Sequence, residues 1–314
     1  MGLHRVLRPR RIQGGLGYMS GVSPGPERCR VEQLGYCARQ VRQHDHDRFI
    51  CSLFAPPAER EGLQSLLAFN LEIARIREAV SQPLLGRIRL QWWSDALDSV
   101  FAGQPPPHAV ATALAATVQR FALPRAPFDR IIEARAFDME DAAPADLPAL
   151  VDYAEGTSAP LFGLALDILA VDQAAARAAA RDVGIVWALT GLARAVPFHA
   201  RSRRVYLPAD LNRQAGLDVF RLFEGRLSDQ RMVQGLAVVV GAVADVAQSH
   251  LESARAASRD VPAKAIPALL PATMASIDLE RLRRAGCNPF MVPDPRRRVG
   301  RLLRVMLNAM RGRY

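Results

Sequence analysis

The residues able to do chemistry in this chain fall into a few short stretches, and most of them are arginines. Arg75, Arg77 and Glu78 close the segment Ala68-Phe-Asn-Leu-Glu-Ile-Ala-Arg-Ile-Arg-Glu78, with Arg87 and Arg89 shortly after. Arg194 and His199 close Ala188-Leu-Thr-Gly-Leu-Ala-Arg-Ala-Val-Pro-Phe-His199, and Arg201, Arg203 and Arg204 follow, directly ahead of Val205-Tyr-Leu-Pro208. A guanidinium is a rigid fork of donors matched to phosphate and carboxylate oxygens, so these positions suit an anionic headgroup, a diphosphate or an acidic surface. For any single arginine, a solvated or locally paired role carries equal weight. Acids that could hold a metal are sparse: Glu78 and Asp138, with Glu140 and Asp141 beyond. Cys29, Cys37, Cys51 and Cys287 form no C-x-x-C pair and no ligand spacing with histidine, so reduced structural thiols are expected. His44-Asp45-His46-Asp47 reads as a solvated helix start or loop, since no second ligand cluster accompanies it.

Composition bounds what these residues can serve. The chain has 314 residues, half of them hydrophobic, with a formal net charge of +10 and Lys264 as its only lysine. A chain of this length buries a sizeable core without disulfides or metal staples. Its basicity fits attraction to anionic lipid, diphosphate or an acidic partner. Nucleic acid is not expected as a partner, because aromatic-interleaved basic stretches, helix-turn-helix spacing and zinc-finger spacing are all missing. No apolar stretch reaches the ~20 residues that span a bilayer; the longest, around Val233 to Ala244, is interrupted by glycine and reads as a buried helix. Residues 1–26 carry arginines and no acid, as an organellar transit segment does, and a bacterial extension fits equally. The division expected is therefore a disordered or targeting-like extension over 1–30 and one helical domain over 31–314.

The elements that must position these residues are helices. Alanine, leucine and arginine dominate, strand alternation is missing, and apolar residues recur at helical spacing. Helices are expected over 31–43, from Asp47 to the break at Ala55-Pro-Pro-Ala, and over 59–80 on Leu63, Leu66, Leu67, Ile73, Ile76 and Val80. A further helix turns Ile88, Trp92, Trp93, Ala96, Leu97, Val100 and Phe101 to one face before Gly103-Gln-Pro-Pro-Pro stops it. Others follow at 108–122, 126–140, 146–171, started by Asp146-Leu-Pro, and 173–197. His199 to Arg204 reads as a basic loop. A short helix after Pro208, one near 228–258, one after Pro262 and one from Arg297 complete the set. In that last helix Val299, Leu302, Leu303, Met306, Leu307 and Met310 form a stripe expected to pack on the domain, with Arg297, Arg298, Arg301 and Arg304 largely outside it.

Set in this frame, the two segments resemble the squalene/phytoene synthase family. Its first motif, Phe/Trp-Cys-Arg-x-Ala-Asp-Asp-x-x-Asp, falls on Ala74-Arg75-Ile76-Arg77-Glu78. Its second, Arg-Asp-x-x-Glu-Asp, falls on Arg194, Ala195, Phe198 and His199 and precedes the shared Tyr-Leu-Pro. Ala134-Arg-Ala-Phe-Asp138 stands at the family's Gly-Met-x-Met-Asp, and Asp152-Tyr153-Ala-Glu-Gly-Thr at its Tyr-x-Tyr-x-Val-Ala-Gly. Asp138 reads as an exposed acid near a helix end, and Tyr153 and Tyr206 as packing residues whose hydroxyls find partners. The stretches around Ala68, Val80 and Val196 look closest to the branch of the family that holds the mitochondrial complex I assembly factor and its bacterial relatives.

The resemblance implies an all-α fold, a single-domain isoprenoid-synthase-like helical bundle with a central cavity. In the enzymes, carboxylates four apart on facing helices hold Mg²⁺ against the diphosphate. Here only Glu78 and Asp138 remain, as weak candidate ligands, so no cofactor is expected. Mg²⁺ belongs only to an alternative in which the chain still condenses two prenyl diphosphates. The function implied is a catalytically degenerate member acting in assembly of respiratory complex I, with its subunits or assembly intermediates as partners. The expected location is the bacterial cytoplasm or mitochondrial matrix, peripheral to the inner membrane. Binding of an isoprenoid or anionic lipid through Arg75, Arg77, Arg194, Arg201, Arg203 and Arg204 is a further alternative.

Overall fold

A computed structural model describes residues 26–140, 142–225, 229–256, 258–292 and 299–314. The expected extension over 1–30 lies largely outside them, as do Asp141, Arg297 and Arg298, and nothing is described of the side chains of Cys29 and Val299. Among the described residues the regular structure is entirely helical.

The chain enters through α1 (Pro26–His44), α2 (His46–Ser52) and α3 (Pro57–Ala74). Asp45 caps α2, accepting from the backbone N–H of Arg48 at 3.4 Å and from its Nε at 2.5 Å. That pair is buried and not solvated as expected, because the turn from α1 into α2 sits against α3 and the later helix over Pro271–Arg284. α3 ends at Ala74, six residues earlier than its apolar spacing suggests. The amide of Ile76 bonds to Ile73 at 3.2 Å, an i→i+3 contact that tightens the backbone into a turn over residues 75–79. The family's first motif therefore lies on a turn.

α4 (Pro83–Phe101) keeps Trp93, Ala96, Leu97 and Val100 of its expected face inward, but Ile88 and Trp92 turn out. Its inner face is Gly86, Leu90, Trp93, Ala96, Leu97 and Val100, while Leu84, Leu85, Ile88 and Trp92 are exposed. Gly86 lies under Met139. A Cβ there would come within 2.1 Å of the Met139 sulfur, so any larger residue would have to displace the Met139 side chain that covers this end of α4.

α5 (Ala109–Phe121) and α6 (Ala126–Arg135) follow, then a 3₁₀ turn over Ala136–Met139. The central pair is α7 (Leu147–Ile168) and α8 (Ala174–Arg194). Asp146 caps α7 as its sequence predicts, accepting from Ala149 N–H at 2.8 Å. α7 and α8 pack closely, since a Cβ on Gly184 would meet the Ala159 backbone at 2.6 Å. Pro197 ends α8 as expected, but a new helix, α9 (Val196–Arg201), begins at once, with the proline in its first turn where a missing N–H costs nothing. The expected basic loop is thus helical up to Arg201.

α10 (Ala209–Gln214), α11 (Val219–Phe223) and α12 (Gln230–Ala256) lead to α13 (Ile266–Leu269), α14 (Pro271–Arg284) and α15 (Val299–Met310). Among the described residues one helix, α12, is long and apolar enough to cross a membrane by length and composition. The expectation of none counted only its uncharged centre. Its stripe from Met232 through Leu236, Val240 and Val243 to Leu251 is buried, and α12 packs on α8 and α14 as a core helix.

The core runs continuously through these helices. Phe69 meets Trp93 and Phe128 edge-on, with ring centroids 5.4 and 5.3 Å apart, fixing α3 against α4 and α6. Cys37 and Cys51 are buried free thiols, and burial raises both pKa values, that of Cys37 to about 12, so they are inert fillers as expected.

Candidate functional site

The two degenerate motifs do meet. Ala74, Arg77, Glu78 and Val80 from the end of α3, Leu192 from α8, and Phe198, His199, Ser202 and Arg204 from α9 and its exit line one cavity of about 350 Å³. Arg135, Asp138, Tyr153 and Tyr206 close it from the opposite wall. The α7–α8 contact and the kink at Pro197 bring the walls together, since they aim Tyr153 and His199 at the same space.

The centre of this wall is Asp138. It is 5% exposed, contrary to the exposed acid expected, because the 3₁₀ turn after α6 folds it inward. Its Oδ1 accepts from the Tyr153 hydroxyl at 2.6 Å and the Tyr206 hydroxyl at 2.9 Å, and its Oδ2 accepts from Arg135 Nη1 at 3.1 Å. The same Nη1 lies 2.9 Å from the Tyr153 oxygen. Tyr153 and Tyr206 are packing residues with hydroxyl partners, as expected, and the partner they share is Asp138. Burial raises the pKa of both phenols, so they stay neutral donors. Burial opposes the charge of Arg135, but the facing Tyr153 and Asp138 outweigh it and hold its pKa above the ordinary value. Arg135 was not singled out in the sequence. Its position three residues before Asp138 on a helix was the available signal, since i,i+3 side chains meet.

His199 stacks at a tilt on Tyr206, centroids 4.8 Å apart. Burial lowers its pKa to about 4, with Asp138 pulling upward and Arg204 downward. It is a neutral ring at physiological pH, poorly suited to replace a carboxylate. Mg²⁺ requires hard oxygen donors in near-octahedral array. Ala74, Ala195 and Phe198 supply none, Asp138 already has three protein donors, and among the described lining residues Glu78 alone remains. Among the described residues no three His, Cys, Asp or Glu side chains are grouped to hold a metal. The residues present do not fit a diphosphate-bridging Mg²⁺ pair. Arg77, Arg135 and Arg204 against Glu78 and Asp138 instead leave the lining with excess positive charge, and Arg135 Nε is buried without a hydrogen-bond partner.

The other candidate arginines go elsewhere. Arg194 pairs with Asp278 on α14. Arg75 turns away into a second cleft of about 560 Å³ with Arg89, Trp92, Trp93 and His108; Glu78 borders both cavities. Arg201 and Arg203 are exposed beside the first cavity, and Arg203 adopts a left-handed φ of 52° at the turn leaving α9.

An all-α bundle with a polar cavity between the ends of facing helices defines the isoprenoid-synthase class of fold. The chain belongs to the squalene/phytoene synthase family, which it matches over residues 41–304. It is 32% identical over 279 residues to the NADH dehydrogenase (ubiquinone) complex I assembly factor 6 of Bos taurus, covering 89% of this chain and 82% of that protein. Its fold is similar to that of a dehydrosqualene synthase, with a TM-score of 0.76 at 17% identity, covering 90% of this chain and 96% of the other. Squalene synthase HpnC from Alicyclobacillus acidocaldarius gives 0.71 at 22%, covering 83% and 97%. The fold is shared with condensing enzymes, and along the sequence the chain is similar both to the assembly factors and, at 31% over 138 residues covering 44% of this chain and 39% of the other, to the phytoene synthase of Cereibacter sphaeroides.

Proposed function

We propose that this chain acts in the assembly of respiratory complex I as a family member that has kept the synthase fold and given up metal-dependent condensation. The observation that carries this reading is the donor set of the cavity: Ala74 and Phe198 line it where carboxylates would be needed, and its buried acid is held by two tyrosines and an arginine. The length over which the chain resembles assembly factor 6 supports the same reading. Its partners are complex I subunits or assembly intermediates. It works at the face of the inner membrane, in the mitochondrial matrix or the bacterial cytoplasm. The cavity, free of metal, accepts an anionic or isoprenoid ligand.

Deletion of the gene in its own organism, followed by native gels of the respiratory complexes, tests the assembly role. Loss of fully assembled complex I with the other complexes intact, and rescue by the chain, is expected. Normal complex I in the deletion strain overturns the proposal. Purified protein incubated with farnesyl diphosphate, Mg²⁺ and reduced nicotinamide is expected to yield no squalene, phytoene or presqualene-type product; steady formation of any of them restores the transferase.

A further inference from the structure

The terminal helix packs on the domain, but not by the face its sequence suggests. Leu302, Leu303, Met306, Leu307 and Met310 are 39, 53, 50, 47 and 82% exposed. The inward face is Arg301, at 7% exposure, with Val305, Asn308 and Ala309. Arg301 donates from Nη1 to Asp278 Oδ1 and from Nη2 to Asp47 Oδ2, both at 2.5 Å, and Asn308 Nδ2 donates to Thr273 Oγ1 at 2.9 Å. Arg304 pairs with Glu280, and Tyr314 donates to the Ala254 carbonyl at 2.7 Å. These polar contacts pin the rotation of α15 and hold its apolar stripe outward.

At 100° per residue the five exposed side chains fall within an arc of about 140°. Arg304 and Arg311 border that arc. Residues 296–314 contain seven arginines, three of them immediately before the helix and two just after it, and no acid. A second copy of the chain is a poor occupant, because self-pairing through this face would bring two sets of arginines together. The stripe is convex and made of flexible leucine and methionine, so no fixed complementary groove is needed to cover it. A bilayer interface meets both demands, since acyl chains take an apolar ridge of any shape and anionic headgroups meet the arginines at its border.

We infer that α15 lies in the plane of an anionic bilayer surface, with Leu302, Leu303, Met306, Leu307 and Met310 inserted below the headgroups. The assignment rests on the inner-membrane placement proposed above and names the surface that accomplishes it. Arg301 serves as the internal clamp that keeps the helix flat on the domain, presented as a preformed ridge.

Sedimentation of the full chain with vesicles of phosphatidylglycerol and phosphatidylcholine in equal parts tests it, with pure phosphatidylcholine alongside. The intact chain is expected to bind the anionic vesicles and to bind the neutral ones far less. The double variant Leu303→Asp, Leu307→Asp changes only exposed positions, and is expected to lose at least tenfold in binding at an unchanged thermal midpoint. If the intact chain binds and the folded variant binds equally well, α15 is not the membrane surface, although the peripheral placement stands. If the intact chain binds neither vesicle, the placement fails and the inference with it. If the variant instead dissolves a dimer or loses a complex I subunit while vesicle binding is unchanged, the stripe is a protein dock and the inference is overturned.

Discussion

His199 takes the place of an acid in the second motif, and its burial has a measurable cost. Its pKa in the folded chain is lowered to about 4, against an unfolded value of about 6.5. Between those values the unfolded chain binds the proton and the folded chain does not, so stability rises with pH across this window and falls as pH drops through it. Thermal midpoints measured from pH 7 down to pH 4 are expected to decline more steeply for the intact chain than for His199→Phe. Parallel curves place the ring in water. Asp138 makes the opposite test. Asp138→Ala leaves the Arg135 guanidinium buried without its carboxylate and strips the acceptor from two tyrosine hydroxyls. A loss of about 3 kcal/mol is expected in denaturant unfolding, the scale of breaking a buried pair on one side, whereas a solvated acid here would cost under about 0.5 kcal/mol.

At the scale of elements, the ion-pair network under α15 ties together helices distant in the chain. Asp47 on α2, Asp278 on α14, Arg194 on α8 and Arg301 on α15 meet in one chain of contacts. The carboxylates raise the pKa of Arg301 against its burial, so the charge persists. Arg301→Leu is expected to cost about 3 kcal/mol, because it leaves Asp47 unpaired and partly buried, and to free α15 to proteolysis at Arg304 and Arg311. Equal resistance in variant and intact chain refutes the clamp. The same network marks where the sequence stopped being legible. Helix periodicity gave α15, α12 and the α7–α8 pair their existence and rough limits, since apolar spacing is a local property. The inward face of α15 was not local. An arginine becomes the buried residue when carboxylates 254 and 23 positions away converge on it, and spacing within one helix carries no trace of that. The inward place of Gly86 on α4 was hidden for a similar reason, as it shows only once Met139 lies over it. Motif spacing did bring Ala74, Glu78, Phe198 and His199 to one cavity; it carried no sign that Arg194 pairs with Asp278 on α14 or that Arg75 lines a neighbouring cleft, because both depend on contacts outside the motif.

For the molecule as a whole, the charge lining the cavity sets what it can attract. A metal-dependent site is negative until Mg²⁺ arrives and only then receives a diphosphate. This cavity is lined by Arg77, Arg135 and Arg204 against Glu78 and Asp138, within a chain of net charge +10. Positive charge already in place would bind a phosphate group directly. Inorganic pyrophosphate is therefore expected to raise the thermal midpoint to the same extent with EDTA as with Mg²⁺. Saturation at a hundredfold above Kd would stabilise the fold by about 2.7 kcal/mol. Arg204→Glu is expected to abolish the effect, and added salt to weaken it by screening the partly exposed arginines. Arg201→Glu, exposed beside the cavity and outside its lining, is expected to leave most of it intact. A stabilisation that requires Mg²⁺ would mean that Glu78 and its neighbours still assemble a metal site. One that survives Arg204→Glu would place the anion elsewhere, with the second cleft at Arg75 and Arg89 the next position to alter.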